Sequence, residues 1–287
     1  MNTSSWVVFK NLLERGGSGL QSSIGRYLTR EELEKLESVR PSKGDPFSHS
    51  TTMEARLGRI HYSWLITFLE PFAENDKAKI LSVLDKPQSA KLQSHFKLTD
   101  AIHPLKKVAK SYLASAVYEW LISDQKEFLP FEFLPDHPLN ALLDLSKREL
   151  QALVDYLGLH DLAMELKHVI KSEQIKKIQR VISKEEREYL KSLLRTKEPL
   201  SFARLNLDGW NGDGEKLKAI LHHRGFNRLA KALFGCHPSL LWHICHRLDT
   251  GRTKILRKFF TDINNDEAHQ ALTKQILGLI HKVHERS

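Results

Sequence analysis

The stretch LQALVDYLGLHDLAMEL, residues 150–166, returns 67 positions later as LKAILHHRGFNRLAKAL, residues 217–233. Without a gap, the alignment pairs small and apolar residues at helical spacing: Leu150 with Leu217, Ala152 with Ala219, Leu162 with Leu229, Ala163 with Ala230 and Leu166 with Leu233. Self-similarity at a fixed spacing is the signature of a repeat protein. The matched glycines, Gly158 and Gly225, predict positions where a helix ends in the left-handed region.

Almost every other periodic stretch of the chain also predicts a helix. Three helix starts have the capping-box form, in which a hydroxyl and a carboxylate three residues apart satisfy free N–H groups: Thr29 with Glu32, Ser146 with Glu149, and Ser183 with Glu186. A weaker third copy of the repeat lies 97 positions upstream of the 162–193 stretch, where Leu65 and Leu69 match Leu162 and Leu166. We therefore expect an all-α fold of stacked helical hairpins, each burying a face that its neighbour covers.

Three segments predict linkers between the helical parts. Residues 40–52 are rich in turn formers, residues 123–139 carry Pro130, Pro135 and Pro138, and residues 199–214 end in a polar, glycine-rich run. Proline cannot lie inside a continuous helix, and Gly, Ser and Asp favour turns. These segments predict four parts: an N-terminal helical segment and linker at 1–58, and helical domains at 59–125, 140–199 and 212–287.

Composition and charge limit the classes of protein. The 287 residues include 44 Lys and Arg and 35 Asp and Glu, a formal charge of +9. Both signs are interspersed along most of the chain, which is typical of ordinary helix surface. No apolar run reaches the length of a membrane helix, and the first residues lack the pattern of a secretory signal. Two cysteines exclude a disulfide framework and favour a reducing cytosol.

A group of histidines and cysteines is the strongest candidate for chemistry. Its members are His222, His223, Cys236, His237, His243, Cys245 and His246. Such side chains can bind zinc, but the short-spaced pairs of a zinc finger are missing. The repeat alignment also puts Cys236 and Cys245 at the core positions of Val169 and Ile178, where cysteine serves as a small hydrophobe. We therefore predict no metal, and a zinc assay is the test.

Other familiar patterns also fail. The run Gly16-Gly17-Ser18-Gly19 is not followed by the Lys-Ser or Lys-Thr of a phosphate-binding loop, so it predicts a flexible turn. The loop 208–215 has the glycine and acidic content of a calcium loop, but Trp210 occupies a ligand position. No catalytic motif is present, so we predict neither a catalytic site nor a cofactor.

The repeats resemble a known family in their residues. Residues 229–235 read Leu-Ala-Lys-Ala-Leu-Phe-Gly and precede Ile255-Leu256-Arg257. This order is similar to the Leu-Ala-x-Ala-Leu-Lys-Gly motif and Arg-Ala-Ala segment of the flagellar motor switch protein FliG. Residues 61–85 run along the family's middle-domain segment, which begins Glu-His-Pro-Gln and here reads Ile60-His61-Tyr62-Ser63. The resemblance covers residues 60–287. It implies an all-α fold of armadillo-like repeats, with 59–125 middle-domain-like and 212–287 C-terminal-domain-like.

Departures from the FliG pattern bear on function. Phe234 stands where the motif has lysine, Gly251 where the family has arginine, and Lys258 and Phe259 where it has an acidic pair. An electrostatic torque surface needs charges of both signs in water. The resemblance without those charges implies a static adaptor of a type III secretion base, on the cytoplasmic face of the bacterial inner membrane.

The expected partners are a membrane-ring protein, a cytoplasmic platform protein and further copies of the chain in a ring. The candidate partner-binding residues are His61, Tyr62, Ser63, Trp64, Phe68, Phe234, Lys254 and Lys258. Trp64, Phe68 and Phe72 suit either a core or a partner groove, while Lys254, Arg257 and Lys258 suit either a solvated helix face or a docking face. A flagellar motor switch component and a helical-repeat nucleic-acid-binding protein are the alternatives, the latter with steeply salt-dependent binding.

Overall fold

The computed structural model describes residues 3–39, 52–99, 102, 104–167, 172–196, 203–205 and 207–284. Regular structure within these ranges is entirely helical, which confirms the all-α prediction. The α-helices are α1 Thr3–Gly25, α2 Arg30–Ser38, α3 Met53–Arg59, α4 Ile66–Leu69, α5 Glu74–Leu81, α6 Lys86–Phe96, α7 Lys107–Ile122, α8 Lys147–Leu166, α9 Ser172–Val181, α10 Lys184–Arg195, α11 Gly214–Leu233, α12 Pro238–Arg247, α13 Thr250–Lys258 and α14 Asp266–His284. Short 3₁₀ helices span Tyr62–Trp64, Phe131–Phe133, Pro138–Leu143 and Leu207–Gly209.

The three predicted capping boxes are all present, at the starts of α2, α8 and α10. Each hydroxyl accepts from the backbone N–H three residues on, and each glutamate accepts from the N-cap N–H. A fourth box joins Asp85 and Gln88 at the start of α6 and was not predicted. Helix boundaries therefore follow from local hydrogen bonding that the sequence encodes directly.

The structure describes one predicted linker in full and the other two only in part. In 123–139 the chain is not a continuous helix, as expected: Pro130 and Pro138 lie at the starts of two short 3₁₀ helices, and Pro135 lies between them. The segment 40–52 lies outside the described residues except for its last position, and 199–214 is described only at 203–205 and from 207 onward. At 16–19, Gly17 adopts a φ of 73° and breaks the helical geometry within α1. Only glycine takes that conformation without strain.

The chain forms two compact units. Unit 1 comprises residues 1–136 and 237–249, and therefore includes α1–α7 and α12. Unit 2 comprises residues 137–236 and 250–287, with α8–α11, α13 and α14. The four predicted domain ranges stay predictions.

Helices α3–α7 and α12 of unit 1 share an apolar core. Leu57 of α3, Leu81 of α5, Leu92 of α6 and Val117 of α7 are buried together with Trp242 of α12. The ring of Trp242 meets Phe128 edge-on at 4.8 Å between centroids. Aromatic side chains supply large buried areas, so α12 is held in unit 1 by a residue more than a hundred positions from the rest of the core.

Unit 2 contains the first helix of each copy of the 67-residue alignment, α8 and α11. Helices α8 and α11 begin and end 67 positions apart, and they pack on each other more extensively than any other pair of elements in the described chain. The helices that follow keep the same order. The starts of α9 and α12, and those of α10 and α13, are separated by the 67-position spacing to within one residue. The similarity in sequence is therefore matched by a similar order and length of helices.

Gly158 and Gly225 lie inside α8 and α11, so the prediction that they end helices is wrong. A Cβ on Gly158 would overlap the backbone carbonyl of Leu221, and one on Gly225 would overlap that of Val154. Glycine is needed here because two helix backbones touch, and neither residue has a positive φ. Since Leu221 and Val154 are themselves repeat partners, the same surface of each copy contacts the other.

Polar contacts show how the two helices run. Asp155 of α8 pairs with His222 of α11 at 2.6 Å, and Asp161 pairs with Arg228 at 2.9 Å from Nε. Both pairs join residues 67 positions apart, so equivalent positions face each other and α8 and α11 run in the same direction. Arg228 is fully buried and also donates to Gln275 of α14 at 2.9 Å. A buried guanidinium is tolerated because it is paired and hydrogen-bonded.

The glycine contact gives a stability prediction. Gly158→Ala or Gly225→Ala should lower the free energy of unfolding by about 1–3 kcal/mol, because the new methyl group meets backbone that cannot move aside. Gly278→Ala on α14 is the control, since a Cβ there meets open space. That change should be neutral or stabilising by up to about 1 kcal/mol. Urea unfolding followed by circular dichroism measures all three, and an unchanged Gly158→Ala variant would contradict the close contact.

The buried ion pair gives a second prediction. Arg228→Met should lower the free energy of unfolding by about 3 kcal/mol, because the buried Asp161 then keeps only the more distant Arg224, whose Nε lies 4.0 Å away, as a charge partner. The double variant Arg228→Met with Asp161→Leu should lose less than the single one, since the buried carboxylate is then removed as well. Arg30→Ala, which removes a solvent-exposed pair with Glu34, should change stability by less than about 0.5 kcal/mol. This account is contradicted if the double variant loses as much free energy of unfolding as the Arg228→Met and Asp161→Leu single variants lose together.

Candidate interaction surfaces

Residues 61–63 lie at the start of the 3₁₀ helix Tyr62–Trp64 in unit 1, with His61 as its N-cap. His61 Nδ1 lies 2.9 Å from Ser63 Oγ and accepts from the Ser63 N–H at 3.3 Å. The rings of His61 and Tyr62 lie 4.4 Å apart, and all three residues are half-buried. The His61 N–H donates to the carbonyl of His246 on α12 at 2.7 Å. The predicted partner-binding histidine is thus engaged in the packing of its own unit.

Trp64 has a similar structural role. Its indole N–H donates to the carbonyl of Leu248 at 2.9 Å, and its ring lies on His246 at 4.1 Å. The same imidazole stacks on Trp242 at 3.9 Å from its other side. Of the two roles open to Trp64, the contacts favour that of a core residue.

Phe68 and Phe72 lie nearer the surface. Phe68 packs against Phe72 at 5.3 Å and against Trp120 of α7 at 4.8 Å. Phe72 and Trp120 remain 37% and 41% exposed. These three rings form an aromatic cluster that is open to solvent on unit 1, and large exposed aromatic side chains are typical of contact surfaces.

Helix α7 extends this surface and was missed by sequence reasoning. Val108 and Tyr112 are 82% and 76% exposed, while Ala114, Val117 and Tyr118 on the same helix are buried. Apolar residues on two faces of one helix were the available signal, because a helix with a single buried face carries them on one side only.

In unit 2 the predicted residues lie on α13 and at the end of α11. Lys254 and Lys258 are exposed, and Leu256 between them is fully buried. Phe234 is half-buried, with its ring 5.3 Å from that of Phe260. The basic helix is therefore an amphipathic one whose apolar side faces the core of unit 2.

The positive charge on α13 affects the pKa of a nearby histidine. The pKa of His223 lies below its usual value, first because the ring is partly buried and then because Lys258 is close. Arg257 is also exposed on α13. The face formed by Lys254, Arg257 and Lys258 can attract an acidic partner in water.

The histidines and cysteines of unit 2 have separate partners. His222 is held between Asp155 and Arg252, with Arg252 Nε 3.2 Å from its Nε2. Cys236 Sγ lies 3.8 Å from the ring nitrogens of His137, and burial raises its pKa to about 11. A thiol with that pKa stays protonated at neutral pH and is therefore a poor nucleophile.

The remaining members lie on α12 in unit 1. Cys245 is fully buried, as is its repeat partner Ile178 in unit 2, which confirms the core position predicted from the alignment. Val169, the partner of Cys236, lies outside the described residues. Within the described ranges, no three or more His, Cys, Asp or Glu side chains are grouped so that they could hold a metal ion.

Among the described helices, none combines the length and the apolar character that crossing a bilayer requires. Comparison with known proteins found no matching family model, no similar curated protein and no similar solved structure.

His243 gives a pH prediction. Its Nε2 lies 2.9 Å from the Leu129 carbonyl, and burial lowers its pKa to about 4. The unfolded chain gains this proton near pH 6.5 and the folded chain only near pH 4, so stability falls as the pH drops between these values. His243 should account for about 2 kcal/mol of loss between pH 7.5 and pH 5.

The matched variants are His243→Gln and His95→Gln. Glutamine can still donate to the Leu129 carbonyl but does not titrate. The His243→Gln variant should therefore lose about 2 kcal/mol less stability than the parent between pH 7.5 and pH 5. His95→Gln is the control for replacing a histidine, because His95 is exposed. Urea unfolding at both pH values tests this, and equal pH dependence in the parent and His243→Gln would refute it.

Proposed function

We propose that this chain is a scaffold that works by binding other proteins: a FliG-like adaptor of a type III secretion base. It would join the inner-membrane ring to the cytoplasmic platform proteins, at the cytoplasmic face of the membrane. The observation that carries the proposal is the repeated helical module in which α8 and α11 meet through equivalent surfaces. Helical repeats that bury their faces on one another are typical of scaffold proteins, and an armadillo-like arrangement is part of this proposal.

The chemistry of the described residues supports a binding role. Histidines that could act as bases or ligands are individually engaged, as His222 is by Asp155 and His246 is by two tryptophans. The features that face solvent are an aromatic cluster on unit 1 and a basic helix face on unit 2. Exposed aromatic and positively charged side chains recognise protein surfaces by burial and by charge complementarity.

The residues at the end of α13 separate this proposal from a flagellar rotor. Lys258 is exposed, while Phe259 beside it is half-buried and packs edge-on against His223 at 4.7 Å. Neither residue presents the acidic charge that the family's torque surface has at these positions. A static contact with an acidic partner suits Lys258 better than a surface that needs both signs.

Co-purification with candidate partners tests the proposal. The purified chain should retain either a membrane-ring subunit or a platform subunit from a secretion system, and the same subunits from a flagellar base should bind more weakly. If neither kind of subunit is retained, the adaptor proposal fails. If only the flagellar subunits bind, the chain is a motor switch component instead.

A charge-reversal variant identifies the basic face in this assay. Lys254→Glu, Arg257→Glu and Lys258→Glu together should weaken binding of the retained subunit at least about tenfold, and added salt should weaken the parent in the same direction. Lys184→Glu, Lys191→Glu and Arg195→Glu on exposed positions of α10 are the matched control, because they alter net charge equally. Equal loss in both variants would mean that net charge alone, and not this face, governs binding.

The same two variants test the nucleic-acid alternative. A nucleic-acid binder should bind a labelled duplex or single strand with an affinity that falls steeply with salt. For a protein scaffold we expect no measurable binding of either at physiological salt. Strong binding that the α13 variant abolishes would replace the adaptor proposal with a nucleic-acid function.

A further inference from the structure

Helix α7 carries a row of apolar residues that stays largely exposed in the described part of the chain. Val108, Tyr112 and Trp120 lie on it at multiples of four residues, with the small Ala116 completing the row. Residues three and four apart on a helix are neighbours, so these side chains form one stripe. We call the stripe and the adjoining Ser115 and Glu119 the α7 face. The opposite side of the helix is in the core of unit 1.

The aromatic cluster continues this surface at the C-terminal end of α7. Trp120 contacts Phe68, which in turn contacts Phe72, and Phe72 is itself exposed. Patches of this kind on a soluble domain mark a place where another surface binds. Its aromatic residues are the type that dominates binding energy at protein interfaces.

Charges are placed at the ends of α7 against the preference of a helix dipole. Lys106 and Lys107 are exposed at the N-terminus, where the dipole is already positive, and no side chain caps that end. Glu119 and Asp124 are exposed at the C-terminal end, where the dipole is negative. Each such placement is unfavourable in an isolated helix, and a partner with the opposite order of charges relieves it.

We propose that the α7 face binds the same face of a second copy of this chain, with the two α7 helices antiparallel. The partner must be apolar in its middle, acidic at one end and basic at the other, and α7 itself meets each condition. An antiparallel pair centred near residue 114 puts Tyr112 of each copy over the small Ser115 and Ala116 of the other. Val108 then meets Trp120, and the lysine end meets Glu119 and Asp124.

The contact is isologous, because both copies use the same surface and a two-fold axis relates them. Such a contact closes after two copies. A ring of adaptors would then need a second, different surface between these dimers. The inference goes beyond the proposed function and does not depend on it, because it is tested on the pure chain without any secretion subunit.

Sedimentation equilibrium of the full chain over a range of concentrations tests the proposal. The parent should form a dimer whose dissociation constant rises with salt. Tyr112→Glu should raise that constant at least about tenfold, because it buries a charge against the small side chains of Ser115 and Ala116. The fold should survive, since the Tyr112 side chain is exposed, and an unchanged thermal unfolding curve at low concentration checks this. Tyr27→Glu, at 88% exposed in unit 1, is the control and should leave the dimer intact.

Charge reversal tests the antiparallel order. Lys106→Glu with Lys107→Glu should weaken the dimer, and adding Glu119→Lys with Asp124→Lys to the same chain should restore most of the lost affinity. A parallel pair would not give this rescue, because like charges would meet in both variants. Rescue is therefore expected, and its absence overturns the proposed geometry.

Two results would overturn the proposal outright. The first is a parent chain that stays monomeric at the highest concentration reached. The second is a dimer or larger oligomer that Tyr112→Glu does not affect. If the monomeric parent binds a secretion subunit and loses that subunit through Tyr112→Glu, the α7 face belongs to a contact with a different protein and the adaptor function stands.

Discussion

Two helices that touch backbone to backbone organise unit 2. At Gly158 and Gly225 there is no room for a side chain, so α8 and α11 approach until the carbonyls of Leu221 and Val154 fill the space. The close approach brings Asp161 within reach of Arg228 and lets both be buried as a pair. With larger residues in place of the glycines the helices would lie farther apart. Water would then reach the ion pair and weaken the attraction between Asp161 and Arg228.

The arrangement has approximate two-fold symmetry because each copy of the repeat offers the same surface. Where equivalent positions meet on such an axis, identical charges would repel each other. The two copies differ there, since Asp155 faces His222 and Asp161 faces Arg228. Divergence between the copies at these positions thus converts a repeat into a complementary pair, while the apolar and glycine positions around them stay alike.

Much of the local structure could be read from the sequence because its causes are local. The helical period gave the fold class, and a hydroxyl with a carboxylate three residues on gave the starts of α2, α8 and α10. The candidate residues were harder, because exposure depends on distant parts of the chain. Trp64 was open to two roles until its contacts with Leu248 and His246 were seen, and the solvent-facing Tyr112 was not singled out at all.

The sequence by itself determined that the chain is all-α, that a module recurs after 67 residues, and that Cys245 is a core residue. These properties depend on side-chain period and on hydrogen bonds within a few residues. Only the tertiary structure decided that the matched glycines are contact points and not helix ends, and that α12 belongs with unit 1. Glycine is suited both to a left-handed turn and to a close backbone contact, and which of the two occurs depends on the residues that pack against it.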